Sequence, residues 1–328
     1  MKIFKFIKYI PLIIINFLLL LFSIYLICAF LMIAKIFPNI ELVNAYQKNF
    51  YIESGLRKIW QNDLECVEYD NELIYVPKLK NCNFENIEFN TNISFDQFGR
   101  YSNHPYTKNN KNNSIAVLGD SFAMGWGVND DETFSALLEK ILNRNVYNLS
   151  VSSYGTRREL IRLEKSNLLN SIDTIILAYC YNDYGENLNF KKESLKALEN
   201  FNLVTSSSTS NNWKKLRRMF RYSVQIPGDL FKEVNNLDFT HHGDLLLKVI
   251  SEHPSIKEKK IYIFYINGKN LNFRDFPNGK YIQNENIEFV NIELLNDHYF
   301  KIDGHLNKKG HKYIADELYE KVFDKSKI

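Results

Sequence analysis

From residue 114 onward, continuous apolar runs alternate with segments of helical spacing. The apolar runs predict five strands, at 114–121, 145–151, 172–181, 260–266 and 286–295. Apolar residues recurring every three to four positions predict helices at 131–144, from Thr156 onward, and at 307–323. Thr156 and Glu159 have the spacing of an N-terminal capping box. Buried strands separated by helices favour an α/β fold of three α/β/α layers with a mainly parallel sheet.

The N-terminal part has a different pattern. Residues 10–34 form an uncharged, largely apolar run of 25 residues, long enough to cross a hydrocarbon core of about 30 Å. A cleaved signal peptide is the alternative, but its apolar stretch is normally about 7–15 residues and ends in small residues. We therefore expect an uncleaved transmembrane helix at 10–36. Lys2, Lys5 and Lys8 precede it, so the positive-inside rule predicts a cytoplasmic tip at 1–9.

Between the apolar run and the α/β pattern lies a connecting region, 37–113. It is predicted to be irregular, with short β-type patches at 72–76 and 87–95, and it ends in an Asn/Lys-rich loop at 108–114. The α/β domain then occupies 114–328, and an insertion at about 185–255 interrupts its alternation. This insertion contains a basic amphipathic segment, 213–222, which we interpret as the solvated face of a lid; an anionic membrane surface is the alternative partner.

The charge of the chain separates into two parts. The 328 residues carry 41 Lys and Arg against 38 Asp and Glu, a net charge of +3. Residues 1–40 contain four lysines and no acid, which leaves 37 basic against 38 acidic residues in the rest. A neutral body lacks the basic excess that binds phosphate backbones, so we expect no nucleic-acid partner.

The four cysteines do not have the spacing of a metal site. Cys28 and Cys180 lie in apolar segments, where a small buried side chain is the usual interpretation. Cys66 and Cys82 lie in the connecting region. Either they pair in an oxidising compartment or they remain two unpaired thiols.

Polar residues cluster where the predicted strands end. Ser121 follows the first strand, Ser153 to Gly155 follow the second, Asn182 and Asp183 the third, and Asp303 and His305 the fifth. In open parallel sheets, ligands bind beyond the carboxyl ends of the strands. We therefore expect these residues to converge on one edge of the sheet.

At these four places the sequence resembles the SGNH (GDSL-type) hydrolases, a family with bacterial, membrane-anchored members. The matching blocks are IAVLGDSFAMGWGV (115–128), NLSVSSYGT (148–156), YCYNDYGEN (179–187) and DGHLNKKGHKYIA (303–315), and FDQFGRYS (95–102) is similar to a bacterial lead-in segment. The resemblance covers about residues 90–325. It implies a flavodoxin-like five-stranded sheet and a serine-dependent ester chemistry without metal or other cofactor.

The resemblance also implies roles for single residues. Ser121 would be the nucleophile, His305 its base and Asp303 the carboxylate that orients His305. The oxyanion donors would be the N–H of Ser121, an N–H of Ser153 or Gly155, and the amide of Asn182. Candidate substrate-lining residues are Asp120, Trp126, Tyr154 and Asp183.

Three departures from the family pattern leave alternatives open. Ser153 and Cys180 stand where glycine is usual, and one residue rather than two separates Asp303 from His305. Asp297 is therefore a second candidate for the orienting carboxylate. Each polar residue also has a structural interpretation: Ser121 as a helix cap, Asn182 as a loop amide, and His305 or His311 as surface groups.

These observations lead to three functional hypotheses. The first is an esterase that removes acyl groups, with O-acetyl as the favoured case, from a cell-envelope glycan. It would be a single-pass protein of the inner (cytoplasmic) membrane with its catalytic domain in the periplasm. The second is an O-acyltransferase that modifies an envelope polysaccharide at the same site. The third is a non-catalytic glycan-binding protein.

Overall fold

The computed structural model describes residues 9–102, 113–205, 212–229, 237–266, 273–274 and 285–324. The predictions for most of the tip at 1–9 and of the loop at 108–114 lie outside the described residues. The α-helices of the described residues are α1 Ile10–Ile33, α2 Glu41–Ser54, α3 Ser121–Met124, α4 Phe134–Leu142, α5 Thr156–Lys165, α6 Asp183–Leu188, α7 Phe190–Thr205, α8 Asn212–Asp229, α9 Phe239–Ser251 and α10 Lys308–Leu318.

The strands of the same residues belong to three sheets. They are β1 Val67–Asp70, β2 Ile74–Pro77, β3 Asn81–Glu85, β4 Asn90–Asp96, β5 Gly99–Arg100, β6 Ser114–Gly119, β7 Val146–Asn148, β8 Ile172–Cys180, β9 Leu237–Asp238, β10 Lys260–Ile266, β11 Phe273–Arg274 and β12 Ile287–Val290. The main sheet has eight strands in the order β12-β10-β8-β6-β7-β5-β4-β3, whereas β1–β2 and β9–β11 form small separate sheets.

Five strands of the main sheet are parallel, from β7 through β6, β8 and β10 to β12. Their spatial order, second-first-third-fourth-fifth along the chain, confirms the predicted flavodoxin-like sheet. Residues of α5 and α9 pack on one face, and residues of α4 and α10 pack on the other. The three-layer α/β/α architecture is therefore confirmed.

The connecting region is more ordered than the sequence predicted. It contains α2, the β1–β2 hairpin, and strands β3 to β5, which pair antiparallel and join the main sheet through Arg100 beside Asn148. The short β-type patches gave no periodicity long enough to reveal this extension. As a result, residues before the α/β domain contribute directly to the edge of its sheet.

Cys66 and Cys82 form a disulfide that joins the start of β1 to β3. Cys28 and Cys180 are buried free thiols. The sequence left open whether Cys66 and Cys82 are paired or free, and in the structure they are paired. The link ties the β1–β2 hairpin to the edge of the main sheet.

Helix α1 is the one helix of the described residues that is long and apolar enough to cross a membrane, with a mean hydropathy of 2.8 in its most apolar window. One stripe of its C-terminal half packs on α2 and α8 through Tyr25, Cys28 and Met32. Most of its other side chains are exposed. The predicted N-terminal apolar helix is confirmed.

Candidate active site

Ser121 lies on a sharp turn between β6 and α3. Gly119 ends the strand, and a Cβ atom there would lie 2.6 Å from the Cβ of Ala123, so only glycine permits this approach. Asp120 is the N-cap of α3, where its carboxylate accepts the N–H of Phe122 at 2.9 Å. The turn thus presents the hydroxyl of Ser121 at the carboxyl edge of the parallel strands.

Three of the predicted residues meet in a continuous chain of contacts. The Oγ of Ser121 is 2.8 Å from Nε2 of His305, and Nδ1 of His305 is 2.5 Å from Oδ1 of Asp303. If Nδ1 carries the proton that faces Asp303, Nε2 is free to accept the serine proton. This is the arrangement that a nucleophile, its base and an orienting carboxylate require.

Gly304 allows the close Asp303–His305 spacing. Its φ is +83°, in the left-handed region that glycine adopts without strain, and the N–H of Phe300 donates to the carbonyl of His305 at 2.8 Å. The alternative carboxylate, Asp297, is exposed and pairs with Lys309. In this structure His305 contacts Asp303 and not Asp297.

The carboxylate of Asp303 is buried and lies next to a cation. Nε of Arg57 is 3.4 Å from its Oδ2. Burial alone would raise the pKa of Asp303, but the charge and hydrogen bond of His305, the charge of Arg57 and the side chain of Trp126 outweigh it. The pKa of Asp303 is therefore below its usual value, and the group stays ionised beside His305.

Glu88 holds the loop that carries Asp303. Its carboxylate accepts the backbone N–H groups of Lys301, Ile302 and Asp303 at 2.8, 2.9 and 2.7 Å. Burial raises the pKa of Glu88 more than these hydrogen bonds lower it. Because three donors converge on one side chain, the backbone before Gly304 has little freedom.

The predicted oxyanion donors differ in their availability. The N–H groups of Ser121 and Ser153 donate to no acceptor within the described residues. Ser153 has a φ of +61°, so it adopts the left-handed conformation in which glycine is usual. The N–H of Gly155 is instead bonded to Glu186 at 3.2 Å. The N–H of Gly155 is thus already bonded. Of the two residues predicted as backbone donors to the oxyanion, Ser153 is the one whose N–H is available.

Asn182 is exposed at the end of β8, and a buried carboxylate fixes its amide. Its Nδ2 donates one proton to Oδ2 of Asp120 at 2.9 Å. An amide nitrogen carries two protons, so the second remains for another acceptor. Asp120 therefore positions both α3 and the Asn182 amide.

The four residues predicted to line the substrate lie beneath the surface in this structure. Asp120, Trp126, Tyr154 and Asp183 are all buried. Trp126 packs between Phe84 and Phe89, and Tyr154 stacks near Tyr75, so the connecting region covers both rings. Their burial follows from strands and loops that the sequence did not place.

A group of buried carboxyls lies behind Asn182. Glu159 and Asp183 are fully buried, and neither oxygen of Glu159 has a hydrogen-bond partner. Burial and the neighbouring charges of Asp183, Asp120 and Glu186 raise the pKa of Glu159 well above its usual value. Glu186 is paired with Arg158 at 2.8 Å. The protonated form of Glu159 is therefore favoured. The predicted capping box is wrong, because the N-cap of α5 is Gly155, which has no side chain to cap the helix.

His311 is buried and structural. Its Nδ1 accepts the N–H of Phe134 at 3.2 Å, and burial lowers its pKa to about 3. The interpretation of His311 as a surface group is thus wrong. Within the described ranges, no group of three or more His, Cys, Asp or Glu side chains is arranged to hold a metal ion.

No protein-family model and no curated protein matches the chain. Several solved structures are similar to it in part. A protein from Desulfitobacterium hafniense assigned to the G-D-S-L lipolytic family is 14% identical, with 62% of this chain and 99% of that chain covered and a TM-score of 0.36. The esterase EstA from a Pseudoalteromonas species is 14% identical, with 64% and 97% covered and a TM-score of 0.35.

A family two carbohydrate esterase from Clostridium thermocellum, solved with cellohexaose, is 13% identical to the chain. It covers 66% of this chain and 65% of its own length, with a TM-score of 0.36. Likenesses of this extent do not assign the chain to a family. What its site can do follows from the residues themselves.

Sequence reasoning missed the residues that support the site from outside the α/β domain. Arg57 and Glu88 lie in a region without periodicity, and no sequence signal distinguishes them from surface charges. Gln61 donates to Oγ of Ser153 at 2.8 Å. Arg100 could have been identified from the sequence, because it belongs to the lead-in segment. Its buried guanidinium donates to the carbonyls of Gly125 and Val128, each at 2.6 Å.

Proposed function

We propose that this chain is a membrane-anchored serine esterase that removes O-acetyl groups from a cell-envelope glycan. The observation that carries the proposal is the contact chain from Ser121 through His305 to Asp303 at the carboxyl edge of the sheet. The exposed amide of Asn182 lies at a neighbouring strand end, as do the N–H groups of Ser121 and Ser153, which donate to no acceptor within the described residues.

The geometry supports a two-step mechanism. Oγ of Ser121 attacks the ester carbonyl while Nε2 of His305 takes its proton, and the negative oxygen is stabilised by the N–H groups of Ser121 and Ser153 and the amide of Asn182. The tetrahedral intermediate expels the sugar oxygen, which takes the proton from His305 and leaves as a hydroxyl. Water then attacks the acyl-serine with the same base, releasing the acid and restoring Ser121.

A polar cavity next to the loop that carries Asp303 supports a saccharide as the ligand. It has a volume of about 1370 Å³ and lies between the start of α2, the β3–β4 hairpin and the loop before Asp303. Its lining includes asparagines 39, 44, 86, 90, 296 and 307, lysines 35, 48 and 301, and the carboxylates of Glu41, Glu85, Glu88 and Asp297. Amide, ammonium and carboxylate groups are suited to the hydroxyl groups of a glycan. Lys301 adjoins Ile302 and Asp303, so a saccharide held there would lie next to the triad loop.

Two features support an extracytoplasmic location. The Cys66–Cys82 disulfide is typical of oxidising compartments, and the lysines before α1 favour a cytoplasmic N-terminus. An anchored domain in the periplasm would face envelope glycans. The acyl group, the acceptor and the orientation are parts of the proposal.

The test is hydrolysis by the purified full-length protein in detergent. We expect it to release p-nitrophenol from p-nitrophenyl acetate and acetate from O-acetylated envelope glycan. Ser121→Ala should reduce both rates to the background, whereas the surface variant Ser251→Ala should keep them. An unchanged rate in Ser121→Ala would refute the nucleophile.

The same assay separates hydrolysis from transfer, because both pass through one acyl-serine. If the acetyl group moves to a second saccharide without release of acetate, the O-acyltransferase is the better description. If neither product forms and Ser121 is unreactive, the non-catalytic glycan-binding protein remains.

A further inference from the structure

Helix α8 carries an apolar stripe that faces away from the protein. Trp213, Leu216, Phe220 and Val224 are 78%, 46%, 38% and 37% exposed. Their spacing of three, four and four residues places them on one face of the helix. The opposite face packs on α1 and α2 through Met219, Tyr222 and Ile226. This face, rather than the stripe, supplies the buried residues of α8, although Phe220 of the stripe also contacts Phe22 of α1.

Positive charge flanks the stripe. Helix α8 has five cations, Lys214, Lys215, Arg217, Arg218 and Arg221, and one acidic residue, Asp229 at its C-terminal end. Arg218 pairs with Glu53 at 2.8 Å, and Lys215 reaches the carbonyl of Ser54 at 3.5 Å. Arg217 lies beside the stripe itself. A tryptophan-containing apolar face bordered by Lys and Arg is the composition of helices that bind anionic membrane surfaces.

The stripe is continuous with the apolar surface of α1. The rings of Phe22 and Phe220 are 5.4 Å apart, and these two residues line a shared groove with Trp213 and Leu216. Phe22 lies about half-way along α1, near 18 Å from its first residue at 1.5 Å per residue. When α1 enters a bilayer from its N-terminal end as far as Phe22, the α8 stripe therefore lies at the level of the bilayer surface.

We propose that α8 is a second membrane contact, whose apolar stripe enters the bilayer interface while its cations bind anionic lipid headgroups. The proposal rests on the membrane anchoring in the proposed function. Long Lys and Arg side chains can extend to the headgroups while their stems cover apolar surface. A second copy of the chain fits the stripe less well, because a twofold contact would bring the cations of both helices together.

The consequence for function is geometric. Helix α8 packs on α2, and α2 leads through Gly55 to Arg57, which contacts Asp303. Two membrane contacts, α1 and α8, would hold the active site at a fixed height and orientation above the bilayer. That arrangement suits a glycan substrate that is itself attached to the membrane.

Trp213 provides the test, because Trp60 and Trp126 are buried. The full-length protein is reconstituted in phosphatidylcholine vesicles with and without phosphatidylglycerol, using lipids with brominated acyl chains that quench nearby tryptophan. We expect the wild type in anionic vesicles to lose about a third of its emission, since interfacial tryptophan lies within reach of the chains. Trp213→Phe should show no such loss. Arg217→Glu with Arg221→Glu should lose most of the quenching while keeping ester hydrolysis in detergent.

Flotation of the same vesicles separates the two claims. Protein that floats but is quenched no more than Trp213→Phe overturns the α8 contact and leaves the α1 anchor intact. Protein that does not float overturns both. A dimer in light scattering, with Trp213 emission shifted to shorter wavelength and insensitive to brominated lipid, would instead identify a second copy as the occupant and overturn the proposal.

Discussion

The guanidinium of Arg57 lies 3.4 Å, from Nε to Oδ2, from the carboxylate of Asp303. Arg57 follows α2 in the connecting region, whereas Asp303 lies in the loop before α10. The contact gives the buried carboxylate a cationic neighbour, on the oxygen that His305 does not use. Its charge is one of the causes that hold the pKa of Asp303 below the usual value.

Removal of this cation should change the pH dependence of catalysis. In Arg57→Ala the pKa of Asp303 rises, so the carboxylate protonates at a higher pH and the acid limb of kcat/KM moves upward by up to about one pH unit. Arg57→Lys keeps the charge and should keep the profile. The measurement is kcat/KM for p-nitrophenyl acetate from about pH 3 to 8, so that the profile extends below the usual pKa of an aspartate. If Arg57→Ala and the wild type have the same acid limb, Arg57 does not influence the protonation of the Asp303–His305 pair.

Asn182 should contribute to the chemical step rather than to binding. Its amide is fixed by Asp120 at 2.9 Å and keeps one proton for a developing oxyanion. Asn182→Ala should therefore lower kcat by about 10²–10³ with little change in KM. The nearby surface variant Asn189→Ala serves as the control. A rise in KM at constant kcat would place the amide on bound substrate instead of the oxyanion.

The stability of the fold should depend on the protonation of Glu159. Its pKa is raised in the folded state, so between its unfolded and folded pKa values the folded protein binds more protons and stability falls as pH rises. The loss for one such group is about 1.4 kcal/mol per pH unit. Glu159→Gln resembles the protonated side chain and should melt increasingly above the wild type from pH 5 to 8.

Thermal unfolding measures this effect, with the exposed variant Glu258→Gln as control. A constant difference in Tm between Glu159→Gln and the wild type at all pH values would mean that Glu159 is not the titrating group.

The disulfide should stabilise the edge that covers the site. Its two cysteines are 16 residues apart in sequence, and closing a loop of this length contributes about 3 kcal/mol in the chain-entropy account. A reductant should lower the Tm of the wild type, and Cys66→Ser with Cys82→Ser should have that lower Tm with or without reductant. A wild-type Tm that is the same with and without reductant would contradict a stabilising contribution from the Cys66–Cys82 disulfide.

The sequence was sufficient for the α/β domain because its signals are local. Apolar runs located the five parallel strands to within a few residues, and the strand ends identified Ser121, Asp303 and His305 as neighbours. The support around them depends on distant pairings that leave no periodic trace: Glu88 and Lys301 are 213 residues apart. The same missing pairings explain why the sequence did not predict the burial of Trp126 and Tyr154, which β3, β4 and the β1–β2 hairpin cover.

The prediction at Thr156 failed for a different reason. The spacing of Thr156 and Glu159 matched a capping box. In the structure the side chain of Glu159 is buried near the carboxyl groups of Asp183 and Glu186, and the N-cap residue is Gly155. Local propensity gave way to tertiary packing at this point. In the segment 213–222 the local signal was correct. Its amphipathic pattern was visible in the sequence, whereas its packing against α1 was not.

The most direct test of the central claim is covalent labelling of the full-length protein with a fluorophosphonate, followed by mass-spectrometric identification of the modified residue. Because His305 activates Ser121, we expect one label per chain on Ser121, none on Ser121→Ala, and strongly reduced labelling in His305→Ala. Labelling of another serine, or equal labelling of Ser121→Ala, would contradict the account.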